Sequence, residues 1–108
     1  MVIISKTGEG YYLVTFGAGQ SVLKRVECTQ LKHRLSDLCK PHREISIDIK
    51  GIRGIEKEGY RILEDIKIRA DQKKCKIRYI NVDPRVSPAI KKLYERKVQL
   101  QDEAGMVL

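Results

Sequence analysis

Glu44-Ile45-Ser46-Ile47-Asp48-Ile49 alternates strictly between polar and apolar side chains, and a period of two puts all three isoleucines on one face of an extended segment. A helix, turning about 100° per residue, would scatter them over opposite sides. A strand with one apolar face must bury it against another layer, and the next residues supply one. Gly51 and Gly54 punctuate a turn in which Ile52 and Ile55 are expected as buried pegs. Ile62, Leu63, Ile66 and Ala70 then form a stripe that predicts a helix from about Glu56 to Lys73. Ile77, Tyr79, Ile80 and Val82 follow as a strongly apolar strand, the pattern of an interior position in a sheet. Strand, helix, strand predicts a right-handed crossover joining parallel strands.

The flanks extend this unit. Val2 to Lys6 and Tyr11 to Phe16 are rich in β-forming residues and bracket Thr7-Gly8-Glu9-Gly10, which predicts an antiparallel hairpin. Gly17-Ala18-Gly19 breaks the pattern and leads into a helix from Val26 to about Cys39, with Val26, Leu31, Leu35 and Leu38 as its stripe and Pro41 beyond its end. Val86, Ile90, Leu93, Lys97 and Leu100 mark a last helix that Asp83 or Ser87 could cap. The order β β α β α β α specifies an α/β fold: a mixed four-stranded sheet with helices packed on it. With 108 residues, one domain over 1–108 is expected, with 102–108 as a flexible tail.

Charge raises the question of nucleic acid, since the chain carries +8. Its distribution is even: nine basic and five acidic residues up to position 54 leave +4, and thirteen and nine beyond it leave +4 again. The densest cluster, Lys73-Lys74-Cys75-Lys76-Ile77-Arg78, falls where a helix ends, and cations there complement the helix dipole. Cys28, Cys39 and Cys75 form no C-x-x-C pair and are expected to be reduced and buried. Every apolar run is broken by a charge before reaching membrane-spanning length, and the N-terminus lacks the pattern of a signal peptide, so the expected compartment is the cytoplasm.

Motifs of catalysis are sparse. His33 and His42 have no Cys or carboxylate at metal-ligand spacing, and Ser21, Ser46 and Ser87 have no nucleophile-elbow sequence around them. Gly17-Ala18-Gly19-Gln20 matches a phosphate loop only in its glycines, because no Lys-Ser or Lys-Thr follows. Asp48 and Glu56 could pair as carboxylates, although a surface or turn role suits Asp48 better. No enzyme activity, metal or cofactor is expected.

Taken together, the element order, the strand ending Asp48-Ile-Lys-Gly51-Ile, the turn Gly54-Ile-Glu-Lys-Glu-Gly59 and the strand closing on Asn81-Val82-Asp83 resemble a STAS domain, the sulphate-transporter and anti-sigma-factor-antagonist family. The resemblance spans nearly the whole chain. The family's signature is an Asp-Ser-Ser-Gly sequence opening a helix, where a partner kinase phosphorylates a serine. Here those places read Glu56-Lys57-Glu58-Gly59, so the acid and the glycine remain in kind while Lys57 and Glu58 fill the two serine positions. Neither can accept phosphate as serine does; Glu58 instead sets a fixed negative charge in the first helical turn. The resemblance implies a cytoplasmic protein-interaction module whose partner is an anti-sigma factor or related kinase. Its contact residues would be Arg53, Glu56, Lys57, Glu58, Arg61 and Glu64 for charge, with Tyr60 as an aromatic anchor. Two alternatives stand beside it: an accessory subunit of a lipid transport complex, and a basic nucleic-acid-binding domain using Lys73, Lys74, Lys76, Arg78, Lys91 and Lys92.

Overall fold

The computed structural model describes residues 1–95, so the expected helix positions Lys97 and Leu100 and the tail at 102–108 lie outside the described residues. Strands β1 (Val2–Gly8) and β2 (Tyr11–Phe16) form the expected hairpin, turning through Gly10 at a φ of +78°. A two-residue strand β3 (Val22–Leu23) precedes α1 (Arg25–Leu38). After β4 (Glu44–Asp48) comes a second short strand, β5 (Gly54–Ile55), then α2 (Lys57–Gln72) and β6 (Lys76–Ile80). A third helix, α3, begins at residue 87 and continues through residue 95.

The main sheet runs β1-β2-β4-β6, antiparallel between β1 and β2 and parallel between β2 and β4 and between β4 and β6. It is the mixed four-stranded sheet that the periodicity specifies. The register aligns Val14, Ile47 and Tyr79 across the three parallel strands, with Tyr12, Ile45 and Ile77 in the next row. Ile45, Ile47 and Ile49 are all completely buried and share one core with Leu31 and Leu35 of α1, Leu63, Ile66 and Ala70 of α2, and Val86, Ile90 and Leu93. The opposite face carries Ser5, Leu13, Ser46 and Arg78 in one row and stays partly open to solvent. Single-sided cover explains why a central parallel strand alternates so cleanly, since parallel strands covered on both faces read as continuous apolar runs.

Three expectations need correction. Val26 is 60% exposed and is no part of the buried stripe of α1, which is Cys28, Leu31 and Leu35. Standing two residues before Cys28, it points about 200° away from that stripe. The stretch after β4 is not wholly turn, because Gly54–Ile55 pairs in parallel with Val22–Leu23. Finally, β6 is an edge strand, not an interior one. Its apolar character has two causes: Ile77 and Tyr79 face the core, and the free edge is covered.

Among the described residues the cover is a hydroxyl of α3. The Lys76 N–H donates to Arg43 and the Ile80 carbonyl accepts from Ile49, so the even residues of β6 turn their backbone toward β4 and the odd residues face outward. There the Tyr94 hydroxyl donates to the Ile77 carbonyl at 3.0 Å and accepts the Tyr79 N–H. These are the two bonds that one residue of a further parallel strand would make. The buried Lys67 ammonium lies 4.8 Å from the centre of the Tyr94 ring and is bonded to both Asp71 oxygens at 3.0 and 3.2 Å, which ties α2 to α3 and to the sheet edge.

All three cysteines are free and buried, as expected. Burial pushes Cys28 up to about 12, with the Glu27 and Glu56 carboxylates adding to the shift. Burial likewise raises Cys39 to about 12, helped by the adjoining Cys75 thiol. In the unfolded chain these thiols ionise near the ordinary value of 9.0. Below that pH both states are protonated and nothing changes; from pH 9 toward 12 the unfolded chain sheds protons that the fold retains. Stability should therefore fall as pH rises, by about 1.4 kcal/mol per pH unit for each thiol. Urea midpoints measured between pH 8 and 10.5 should decline above pH 9, and a flat series would contradict the thiol burial.

Candidate functional site at the entrance of the second helix

Because β2, β4 and β6 are parallel, their carboxyl ends lie along one edge of the sheet, and the connections that follow them gather there. The chain leaving β4 is pinned at once. Asp48 Oδ1 accepts the Lys50 N–H at 2.9 Å and the Asn81 amide at 3.0 Å, joining the ends of β4 and β6. Gly51 takes a φ of +85°, a conformation that favours glycine, and lets Ile52 turn inward to 1% exposure. Ile55 is half-buried. The Arg53 N–H then bonds the Ser21 carbonyl at 2.7 Å, and the β3/β5 pair begins.

That pair aligns the starts of both helices. The Glu56 N–H donates to the Leu23 carbonyl at 2.9 Å, and Glu56 Oε1 accepts the Arg25 N–H, the first of α1, at 3.1 Å. At the same helix start the Glu27 carboxylate accepts the Lys24 N–H at 3.0 Å. Gly59 lies in the first turn of α2, and a β-carbon there would stand 3.0 Å from the Leu23 carbonyl oxygen and 3.2 Å from the Cys28 sulfur. The glycine is needed so that α2 can lie this close to the entrance of α1.

The residues expected to contact a partner divide into two groups on this frame. Arg53, Lys57, Glu58 and Arg61 are exposed. Lys57 and Arg61 are four apart on one flank of α2, and Glu58 lies in its first turn, where the positive end of the helix dipole favours a carboxylate. Glu56 is exposed yet bonded to the backbone of α1, which makes it part of the frame. Tyr60 is half-buried against the core, so its ring is a packing element before it is an anchor, and Glu64 is also half-buried. Asp48 and Glu56 each have separate partners.

Beside this frame Arg53 lines an open depression of about 450 Å³ together with Lys50, Asp48 and the loop from Gly17 to Ser21. Sequence reasoning did not place Lys50 or Ser21 here, because both line this depression only through the approach of two loops some thirty residues apart, which leaves no periodic trace. Among the described residues no group of three or more His, Cys, Asp or Glu could hold a metal ion. No helix among them is long and apolar enough to cross a membrane. The six residues of the basic cluster do not converge. Lys76 and Arg78 lie on the open face of the sheet, with Arg78 paired to Glu44 at 3.6 Å, while Lys73 reaches the Ser36 carbonyl on the helical side and Lys91 and Lys92 belong to α3.

No protein-family model matches the chain, and no curated protein does. Among solved structures, one described as "Crystal Structure Analysis of Mglu" is similar, with a TM-score of 0.63 and 13% identity over 76% of this chain and 20% of that one. The likeness is one of fold, and the chain spans about a fifth of that protein's length.

Proposed function

We propose that this chain is a STAS-like, non-enzymatic interaction module of the cytoplasm, binding an anti-sigma factor or related ATP-binding kinase. The contact surface is the connection from Ile52 to Glu58 together with the adjoining flank of α2. The observation that carries the reading is the exposure of Arg53, Lys57, Glu58 and Arg61 on a frame fixed from behind by Gly59, Glu56 and the β3/β5 pair. Exposed charge on a rigid support gives orientation at little entropic cost. Lys57 and Glu58 open α2 where the family carries its serines, so the surface has a constant charge and no phosphate switch at that place.

Titration calorimetry against a purified anti-sigma-type kinase from the same genome tests the reading. Lys57→Glu combined with Arg61→Glu should weaken binding at least about tenfold, equivalent to about 1.4 kcal/mol, with the fold intact. Unchanged affinity would exclude this surface, and absence of binding by the unaltered chain would exclude this partner class. Incubation with the kinase and labelled ATP should leave residues 56–59 unlabelled.

A further inference from the structure

α1 and α2 pack side by side over the sheet and leave between them a groove of about 600 Å³ that the proposed contact surface does not use. Its α1 side presents Arg25, Thr29, Lys32 and Ser36, and its α2 side Ile62, Ile66, Arg69 and Lys73, each series climbing at helical spacing. With Leu63 at the centre of the buried face of α2, Ile62, Ile66 and Arg69 turn about 60–120° to one side. Lys57 and Arg61 turn about 120–160° to the other, so the groove and the Lys57/Arg61 part of the contact surface lie on different flanks of α2, while Glu58 turns about 140° toward the groove side.

Charge on this groove is sorted. With the C-cap Lys73 of α2 included, the two helices carry eight basic residues (three on α1, five on α2) against six acidic ones (two and four). Yet Arg25, Lys32, Arg69 and Lys73 all line the groove, together with His33. The carboxylate at its border is Asp65, 2.6 Å from the Lys32 ammonium and 3.1 Å from Arg69. These partners, Lys32 foremost, hold its carboxyl below the usual range and span the groove from one helix to the other. Beneath the charged rim the floor is apolar, with half-buried Ile62 as its accessible part and Leu35 and Ile66, 1% and 3% exposed, closing it from below. A phosphate backbone would match the rim and gain nothing from that floor. A helix bearing carboxylates on both sides of a short apolar stripe matches both. α1 is about 21 Å long at 1.5 Å per residue, room for about four turns of a docked helix.

We propose that the groove between α1 and α2 is a second docking site, whose occupant is an acidic amphipathic helix of a partner protein. Carboxylates of that helix engage Arg25 and Lys73 toward the two ends of the groove, where Lys32 and Arg69 stay paired with Asp65 between them, while its apolar stripe lies on Ile62. The site is independent of the surface at residues 52–58, and separate substitutions distinguish them.

The experiment uses a fluorescent synthetic peptide of about 18 residues, with glutamates flanking a leucine stripe at helical spacing, and measures anisotropy on the full chain. Two controls accompany it: the same residues in scrambled order, and a short DNA duplex. The amphipathic peptide should bind at least about tenfold more tightly than its scramble. Arg25→Glu with Lys73→Glu, two exposed positions, should remove that binding at unchanged melting temperature, while Lys57→Glu with Arg61→Glu should leave it intact. Equal affinity for the scramble would overturn the proposal, as would indifference to Arg25→Glu and Lys73→Glu. Tighter binding of the duplex, abolished by the same pair, would overturn it in favour of a phosphate-bearing partner.

Discussion

Ile47→Ala is expected to lower the stability of the chain by about 2–5 kcal/mol, the range for emptying a fully buried aliphatic site. Ile47 sits at the middle of β4, between Val14 and Tyr79 in its row, with no exposed surface. No neighbour is free to collapse into the space, because the strands on both sides are fixed by their hydrogen bonds. The control is one residue away. Ser46 points to the open face, where its hydroxyl accepts a bond from Arg78 Nε at 3.3 Å, and Ser46→Ala should change stability by less than about 0.5 kcal/mol. Urea denaturation of the two variants measures the difference directly. Similar losses for both would mean that the sheet is covered on two faces.

The second large effect comes from charge. Asp71→Ala leaves the Lys67 ammonium, 11% exposed, over the Tyr94 ring without the carboxylate that now holds it. Removing one member of a buried pair costs about 3–5 kcal/mol; since Asp71 keeps 23% of its exposure, about 2–3 kcal/mol is expected. Lys67→Met keeps the apolar stem but takes the ammonium from the more exposed Asp71 carboxylate, so it should cost less, about 1 kcal/mol. Combining Lys67→Met with Asp71→Ala should recover most of the loss, a coupling that thermal unfolding of the four proteins in a double-mutant cycle reads out. Strict additivity would show that the pair contributes nothing.

The elements that could be read from the residues are those whose signal repeats along the chain. β4 alternates over six positions, and the stripe of α2 repeats from Ile62 to Ala70, about two turns, so each gives several residues the same phase. The short β3 and β5 were illegible for the opposite reason. Two residues contain no period, and Gly54–Ile55 becomes a strand only because Val22–Leu23 lies beside it. The edge position of β6 was misread because a core-facing row and a covered edge leave the same apolar signature as burial in the middle of a sheet. At the candidate site, Lys57 and Arg61 share one flank of α2 by their spacing, whereas Arg53 stands in the loop before β5 and the frame role of Glu56 depends on a bond to a residue thirty-one positions away. No local pattern announces such a bond. The cations of the α1/α2 groove were visible individually, but their convergence needed the packing of two helices separated by a strand.

The hydroxyl of Tyr94 also gives the order of synthesis a meaning. When the ribosome has made β6, the sheet is complete but its last edge still presents the Ile77 carbonyl and the Tyr79 N–H, and the side chain that closes them comes later in the chain. In that interval a neighbouring nascent chain could add a strand. Once α3 docks, the same edge offers these two groups to no other molecule, so among the described residues this cover of β6 is acquired only after the sheet is built.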